Sequence, residues 1–204
     1  MQRFILLFLL SISLVACSQK KVIFDDYVAS IKDYQHKMNR EFSDPEESPL
    51  TEEDRKKFKN LDFFPIDSTY KVTANFVRTP NEKAFEMPTT TSSTNIEVKY
   101  AEAHFTLMGK KLKLSIYQSQ SLKFEEQYKN YLFLPFTDIT NGEETYGGGR
   151  YIDLEIPEGK TIIIDFNKAY NPYCTYNPSY SCPIPPEEND LAIAIKAGVK
   201  NYKK

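Results

Sequence analysis

From residue 24 to residue 42 the apolar positions Phe24, Tyr27, Val28, Ile31, Tyr34, Met38 and Phe42 recur mostly at steps of three and four. That spacing draws one apolar stripe along an α-helix, and Asp25, Lys32, Asp33, Lys37 and Arg40 fall mostly off it. The pattern predicts a helix that packs on the body of the protein. It ends by Ser43-Asp44-Pro45, since proline disfavours helical backbone in the residue before it. A short second helix follows Ser48-Pro49-Leu50, capped by Thr51 with Asp54 three residues on. Acidic Glu52, Glu53 and Asp54 precede basic Arg55, Lys56, Lys57 and Lys59, the order that the helix dipole favours.

Past Leu61 the period shortens to two. Strands are predicted at Tyr70–Arg78, Asn95–Leu107, Lys111–Ser119, Asn130–Phe136, Gly149–Ile156, Lys160–Asn167 and Leu191–Ala197. Met108-Gly109-Lys110 turns one pair into a hairpin, and Pro157-Glu158-Gly159 is expected to turn another. Pro80–Thr94, with its Thr/Ser run, reads as an exposed loop or an irregular hairpin. The fold class is therefore mainly β with α: N-terminal helices followed by an antiparallel β-sandwich or small barrel of seven or eight strands.

The apolar run Phe4–Leu14 follows a basic start at Arg3 and ends in Leu14-Val15-Ala16-Cys17. It is too short for the roughly 20 residues that span a bilayer. A basic start, a short apolar stretch and small residues before a cut describe an export signal. The cysteine after Ala16 makes it resemble a bacterial lipoprotein signal, which implies acylation of Cys17 and a membrane partner through that lipid. The domain plan that follows is a signal peptide at 1–16, a tether at 17–23, one globular β-rich domain at 24–200 and a tail at 201–204. Ser18-Gln19 lacks the aspartate that marks inner-membrane retention, so the expected place is the outer membrane, facing the periplasm.

Net charge is −2 for the whole chain and −3 once Arg3 leaves with the signal. That balance argues against a nucleic-acid partner. Cys174 and Cys182 remain after Cys17 is lipidated. An oxidising compartment permits a disulfide between them, and this is the expected pairing. A zinc site completed by His104, His36 or carboxylates, and a pair of free thiols, are the alternatives. Neither His-Glu-x-x-His spacing nor a Gly-x-Ser-x-Gly elbow is present, and nothing calls for a metal or cofactor.

Three stretches carry a resemblance. One runs from Ser48-Pro49-Leu50 through Phe58 and Leu61 to Phe63-Phe64-Pro65. The next holds Phe136-Thr137-Asp138 and Glu144–Tyr151 with its Gly147-Gly148-Gly149-Arg150. The last holds Asp165–Pro172, Cys174, Cys182-Pro183, Pro185-Pro186 and Asn189. Together they resemble the domain-of-unknown-function family numbered 1684, many of whose members are lipoproteins. The resemblance implies a location and a shared residue set, and no reaction. Val199 stands where the family pattern has a glutamate.

Candidate binding or catalytic residues are Arg150, Asp165, Asn167, Tyr170, Asn171 and Asn189. A guanidinium beside glycines can grip an anion in two bonds. The simpler account pairs Arg150 with Asp165 or Asp153 and gives the Asx residues to turns. Tyr170, Tyr173, Tyr176 and Tyr180 are expected to pack over the loop or line a ligand surface. The expected function is an envelope lipoprotein acting as a binding or interaction module for a small molecule, glycan or protein. The alternative is an enzyme, such as a hydrolase, in which Arg150 and Asp165 converge on one pocket.

Overall fold

The computed structural model describes residues 25–203. The leader, Cys17 and the tether lie outside them. Helix α1 covers residues 25–43 and α2 covers Glu52–Lys57. Thr51 caps α2, its Oγ1 accepting from the Asp54 backbone N–H at 3.1 Å. Eight strands follow: β1 (Lys71–Arg78), β2 (Phe85–Pro88), β3 (Thr94–Leu107), β4 (Lys110–Ser119), β5 (Tyr131–Asp138), β6 (Arg150–Glu155), β7 (Thr161–Asp165) and β8 (Asp190–Leu191).

The main path of the sheet is β6-β5-β4-β3-β1-β7, all antiparallel, with β2 paired to β3 and β8 running parallel to β5. Laid flat, six strands would hold their outer edges about 24 Å apart. The chain passes from the end of β6 to the start of β7 in six steps, about 20 Å at full stretch. The sheet is therefore curled into a half-barrel. This corrects the expected hairpin across Pro157-Glu158-Gly159: β6 pairs with β5, while β7 pairs with β1 from Lys71↔Asp165 to Asn75↔Thr161.

The concave face holds the core. Val72, Ala74 and Phe76 of β1, Ala101, Ala103, Phe105 and Leu107 of β3, and Leu114 and Ile116 of β4 point inward at alternate positions. Two residues, Met108 (φ +50°) and Gly109 (φ +75°), turn β3 into β4, the double positive φ that a tight hairpin requires.

The expected strand at Leu191–Ala197 shrinks to β8, and residues 192–197 are irregular. At Ile195 and Ala197 side chains meet the backbone groups in place of a ladder. Arg150 Nη1 donates to Ala197 O, Arg150 Nη2 to Ile195 O at 2.7 Å, and Ile195 N–H to Asp138 Oδ1 at 3.0 Å. Gly198 then passes close behind (φ +77°), where a Cβ would lie 2.5 Å from the Ala169 carbonyl oxygen. Only glycine fits that approach.

β5 is buried on both faces over most of its length, so a second layer covers the sheet there. That layer is α1 together with residues 170–183. Tyr34 of α1 donates to Lys168 O at 2.9 Å, Asn39 Oδ1 accepts from Leu61 N–H at 2.8 Å, and Met38 and Phe42 enter an apolar cluster with Leu50, Leu61, Tyr176 and Val199. The apolar stripe of the first helix is thus consumed by packing. The 170–183 segment is fastened at both ends. Tyr151 and Tyr170 exchange backbone hydrogen bonds at 2.9 and 3.0 Å, while Thr90 N–H donates to Cys182 O at 2.9 Å and Ile184 N–H to Pro88 O at 2.8 Å. Its far anchor is β2, which lies inside the stretch expected to be a loop or irregular hairpin.

Candidate functional site

Between the outer face of the sheet and this second layer lies a cavity of about 450 Å³. Tyr131, Phe133, Tyr151 and Tyr170 build its aromatic wall, with Tyr34 on the helix side. Phe133 and Tyr151 meet edge to face at 4.8 Å, and Tyr151 and Tyr170 at 5.8 Å. Such contacts fix ring orientation as well as bury area. Tyr131 and Tyr170 both donate to Asp153 Oδ1, at 2.8 and 2.7 Å. Burial first, and that carboxylate second, push both phenols above their usual range.

Glu97 of β3 also lines the cavity and is only 3 % exposed. Its Oε2 has no hydrogen-bond partner. Burial pushes this carboxyl up to about 7. A buried polar group left unpaired is costly, and such groups concentrate where ligands bind.

The six expected site residues divide. Tyr170 and Asn171 line the cavity; Arg150, Asp165, Asn167 and Asn189 do not. Arg150 is fully buried and pairs with Asp138 at 2.8 Å, rather than with Asp165 or Asp153. Asp165 caps the turn after β7, accepting from Asn167 N–H at 3.1 Å, and also accepts from Tyr27 Oη at 3.0 Å. Asn167 mimics a strand: its Nδ2 donates to Asp67 O at 2.9 Å and its Oδ1 accepts from Asp67 N–H at 3.0 Å. Asn171 Nδ2 donates to Lys200 O at 2.9 Å. The expected convergence of Arg150 and Asp165 on one pocket gives way to separate duties, each on neighbouring backbone. Of the tyrosine series, Tyr176 is fully buried against Phe42, whereas Tyr170, Tyr173 and Tyr180 line the cavity.

Asn189 repairs a defect. Pro135 sits inside β5 and offers no N–H to the ladder. The Asn189 amide inserts between β4 and β5, its Oδ1 accepting from Ser115 N–H at 2.7 Å and its Nδ2 donating to Ser115 O at 2.8 Å and Pro135 O at 2.6 Å. Asn189→Ala strands these buried groups and should lower stability by about 2 kcal/mol. Urea denaturation would show it as a fall in midpoint at unchanged slope.

Cys174 and Cys182 are neighbouring thiols, the Cys174 N–H donating to Cys182 Sγ at 3.1 Å. Burial pushes the Cys182 thiol up to about 12. Cys182 lines the cavity wall. Of the two histidines weighed as zinc ligands, His104 sits beside Glu102 at 3.1 Å. Among the described residues no cluster of three or more His, Cys, Asp or Glu could hold a metal, and no helix is long and apolar enough to cross a membrane.

Sequence reasoning missed Glu97, Tyr131, Phe133 and Tyr151 as lining residues. The available signal was the unbroken apolar run of β5, which marks a strand covered on both sides.

A family model described as a protein of unknown function, DUF1684, matches residues 56–200. An uncharacterized protein of Haloarcula marismortui, solved by solution NMR, is similar over 86 % of this chain and 95 % of its own, at 32 % identity and a TM-score of 0.66. No curated protein matches.

Proposed function

We propose a function for this chain, which belongs to the DUF1684 family: it binds a small organic molecule in the aromatic cavity. The observation that carries this reading is the buried, unpartnered Glu97 carboxyl inside an aromatic-walled space of about 450 Å³. Ligand sites combine apolar walls with few polar groups at chosen points, and a volume of this size suits a small organic ligand. The setting we propose is the cell envelope, with Cys17 lipidated and the body tethered to the outer membrane on its periplasmic side. The leader pattern of Arg3, Phe4–Leu14 and Leu14-Val15-Ala16-Cys17 supports it. In that setting Cys174 and Cys182 pair, and the bridge stiffens the cavity wall beside Ser181 and Pro183.

A fragment library screened by ligand-observed NMR should yield binders. Asn95→Trp, at an exposed lining position, should abolish their signals while leaving the fold intact. A blank screen, or binders indifferent to Asn95→Trp, would overturn the reading. Mass spectrometry of the membrane fraction tests the setting: acylated Cys17 supports it, and an intact, unlipidated amino terminus in the soluble fraction refutes it.

A further inference from the structure

We propose that the cavity's ligand carries an organic ammonium group, held against the Glu97 carboxylate and boxed by tyrosine rings. This deepens the small-molecule reading and rests on it.

Five tyrosines and phenylalanines form the inner wall, yet their hydroxyl protons are already committed. Tyr34 donates to Lys168 O, Tyr151 to Pro183 O, and Tyr131 and Tyr170 to Asp153. The rings therefore offer π faces and edges to a ligand, and no O–H from these four. Of the remaining polar lining, Ser119 already shares its hydroxyl with Ser121 at 3.0 Å and Ser181 donates to Thr89 Oγ1 at 2.8 Å, which leaves Asn95, Tyr173 and Tyr180, none of them buried, as the neutral donors. Lys37, on the helix side, faces Glu41 at 3.5 Å with its side chain 68 % exposed. The buried lining atoms left without a partner are both acceptors, Glu97 Oε2 and Asn171 Oδ1, and the Asp153 carboxylate is exposed.

Charge points the same way. The charged groups facing the space are Glu97 on β3, Asp153 on β6, and Glu41 and Lys37 on α1. Three acids against one base disfavour an anionic ligand. An ammonium group supplies donors and positive charge, and aromatic faces attract such cations. The raised Glu97 carboxyl fits this chemistry, because a bound cation favours its ionised form and drives off its proton. Binding therefore releases protons near neutral pH.

The test uses choline and phenethylamine beside their neutral counterparts, 3,3-dimethyl-1-butanol and phenethyl alcohol, at pH 7.5 by calorimetry and ligand-observed NMR. At least one ammonium probe should bind ten-fold or more tightly than its neutral counterpart, with proton release visible between buffers of different ionisation heat. Glu97→Gln, which keeps size and removes charge, should bring the pair to parity. Equal or tighter binding of the neutral probes, or a preference that survives Glu97→Gln, overturns the ammonium inference and leaves the cavity reading standing. Silence from all four probes overturns it too, and the cavity reading falls with it only if the fragment library is also blank.

Discussion

Arg150→Ala is expected to cost about 3–5 kcal/mol, the range for removing one partner of a buried ion pair. Both side chains of the Arg150–Asp138 pair are 0 % exposed. Asp138 Oδ2 takes the guanidinium, while its Oδ1 accepts from Thr140 N–H, Thr140 Oγ1 and Ile195 N–H. Deleting Arg150 leaves a desolvated carboxylate and strips donors from Ile195 O and Ala197 O. The loss should fall first on the C-terminal segment, since Arg150 and Asp138 stand in for the ladder that residues 192–197 lack. Limited proteolysis should cut Arg150→Ala there well before the wild type. Arg150→Lys should recover only part of the stability, because an ammonium cannot reproduce the planar fork that reaches the carboxylate and two carbonyls together. Asp138→Leu combined with Arg150→Met should stay below wild type, since the Ile195 and Ala197 backbone groups still lose their partners. Full recovery in that double variant would show that the clasp has no role in ordering the segment.

Much of the fold was legible because its signals are local. The stripe on α1, the Thr51 cap and the alternation along β1 and β3 each follow from a few neighbouring residues. What escaped depends on residues far apart in the chain. The β6–β7 link looked like a hairpin because adjacent strands usually pair; here the two strands hold opposite edges of the sheet, and its curl brings those edges within reach of a short link. Around Glu97 the alternation Asn95-Ile96-Glu97-Val98-Lys99 reads as polar side out and apolar side in. The structure inverts it, with Ile96 45 % exposed and Glu97 3 %. The register of β3 on β4 slips between Lys99 and Ala101, which changes the face each side chain takes. The cover over Glu97 comes from α1 and residues 170–183, which no local pattern can announce. Arg150 misled for the related reason that a guanidinium beside Gly147-Gly148-Gly149 suggests a ligand grip, whereas the side chain enters the core. Arg150, Asp165, Asn167 and Asn189, candidates for one site in the sequence, each bond to neighbouring backbone in the structure.

Glu97→Gln is expected to stabilise the ligand-free protein at pH 8 by about 2–3 kcal/mol, and to do nothing comparable at pH 4.5. The sign follows from the proton count. Burial raises the folded carboxyl from 4.5 to about 7. Between those values the unfolded chain has released the Glu97 proton and the folded chain still holds it. Stability therefore falls as pH climbs through this window, at about 1.36 kcal/mol per unit where the gap is fully open, and levels off above the folded value. Glutamine does not titrate, so the variant escapes the loss. The titratable groups around the cavity, Tyr34, Lys37 and Glu41 on α1, Tyr151 and Asp153 on β6, Tyr131 on β5, and Tyr170, Tyr173, Tyr180 and Cys182 on the covering segment, are common to both proteins. So is Glu102, which hydrogen bonds from Lys113 and Lys99 hold down near 2; its contribution is lost only as pH falls through the acid range. Taking the difference between wild type and variant in urea denaturation at pH 4.5, 6 and 8 isolates Glu97. A difference that grows with pH identifies a carboxyl kept at a cost to the fold, the trade expected where binding requires it. Adding choline or phenethylamine at pH 8 should close part of the gap, because a cation beside Glu97 stabilises the folded wild type alone. A difference flat across all three pH values would mean that Glu97 finds a partner in solution, and the cavity would lose the feature that sets it apart from ordinary packing.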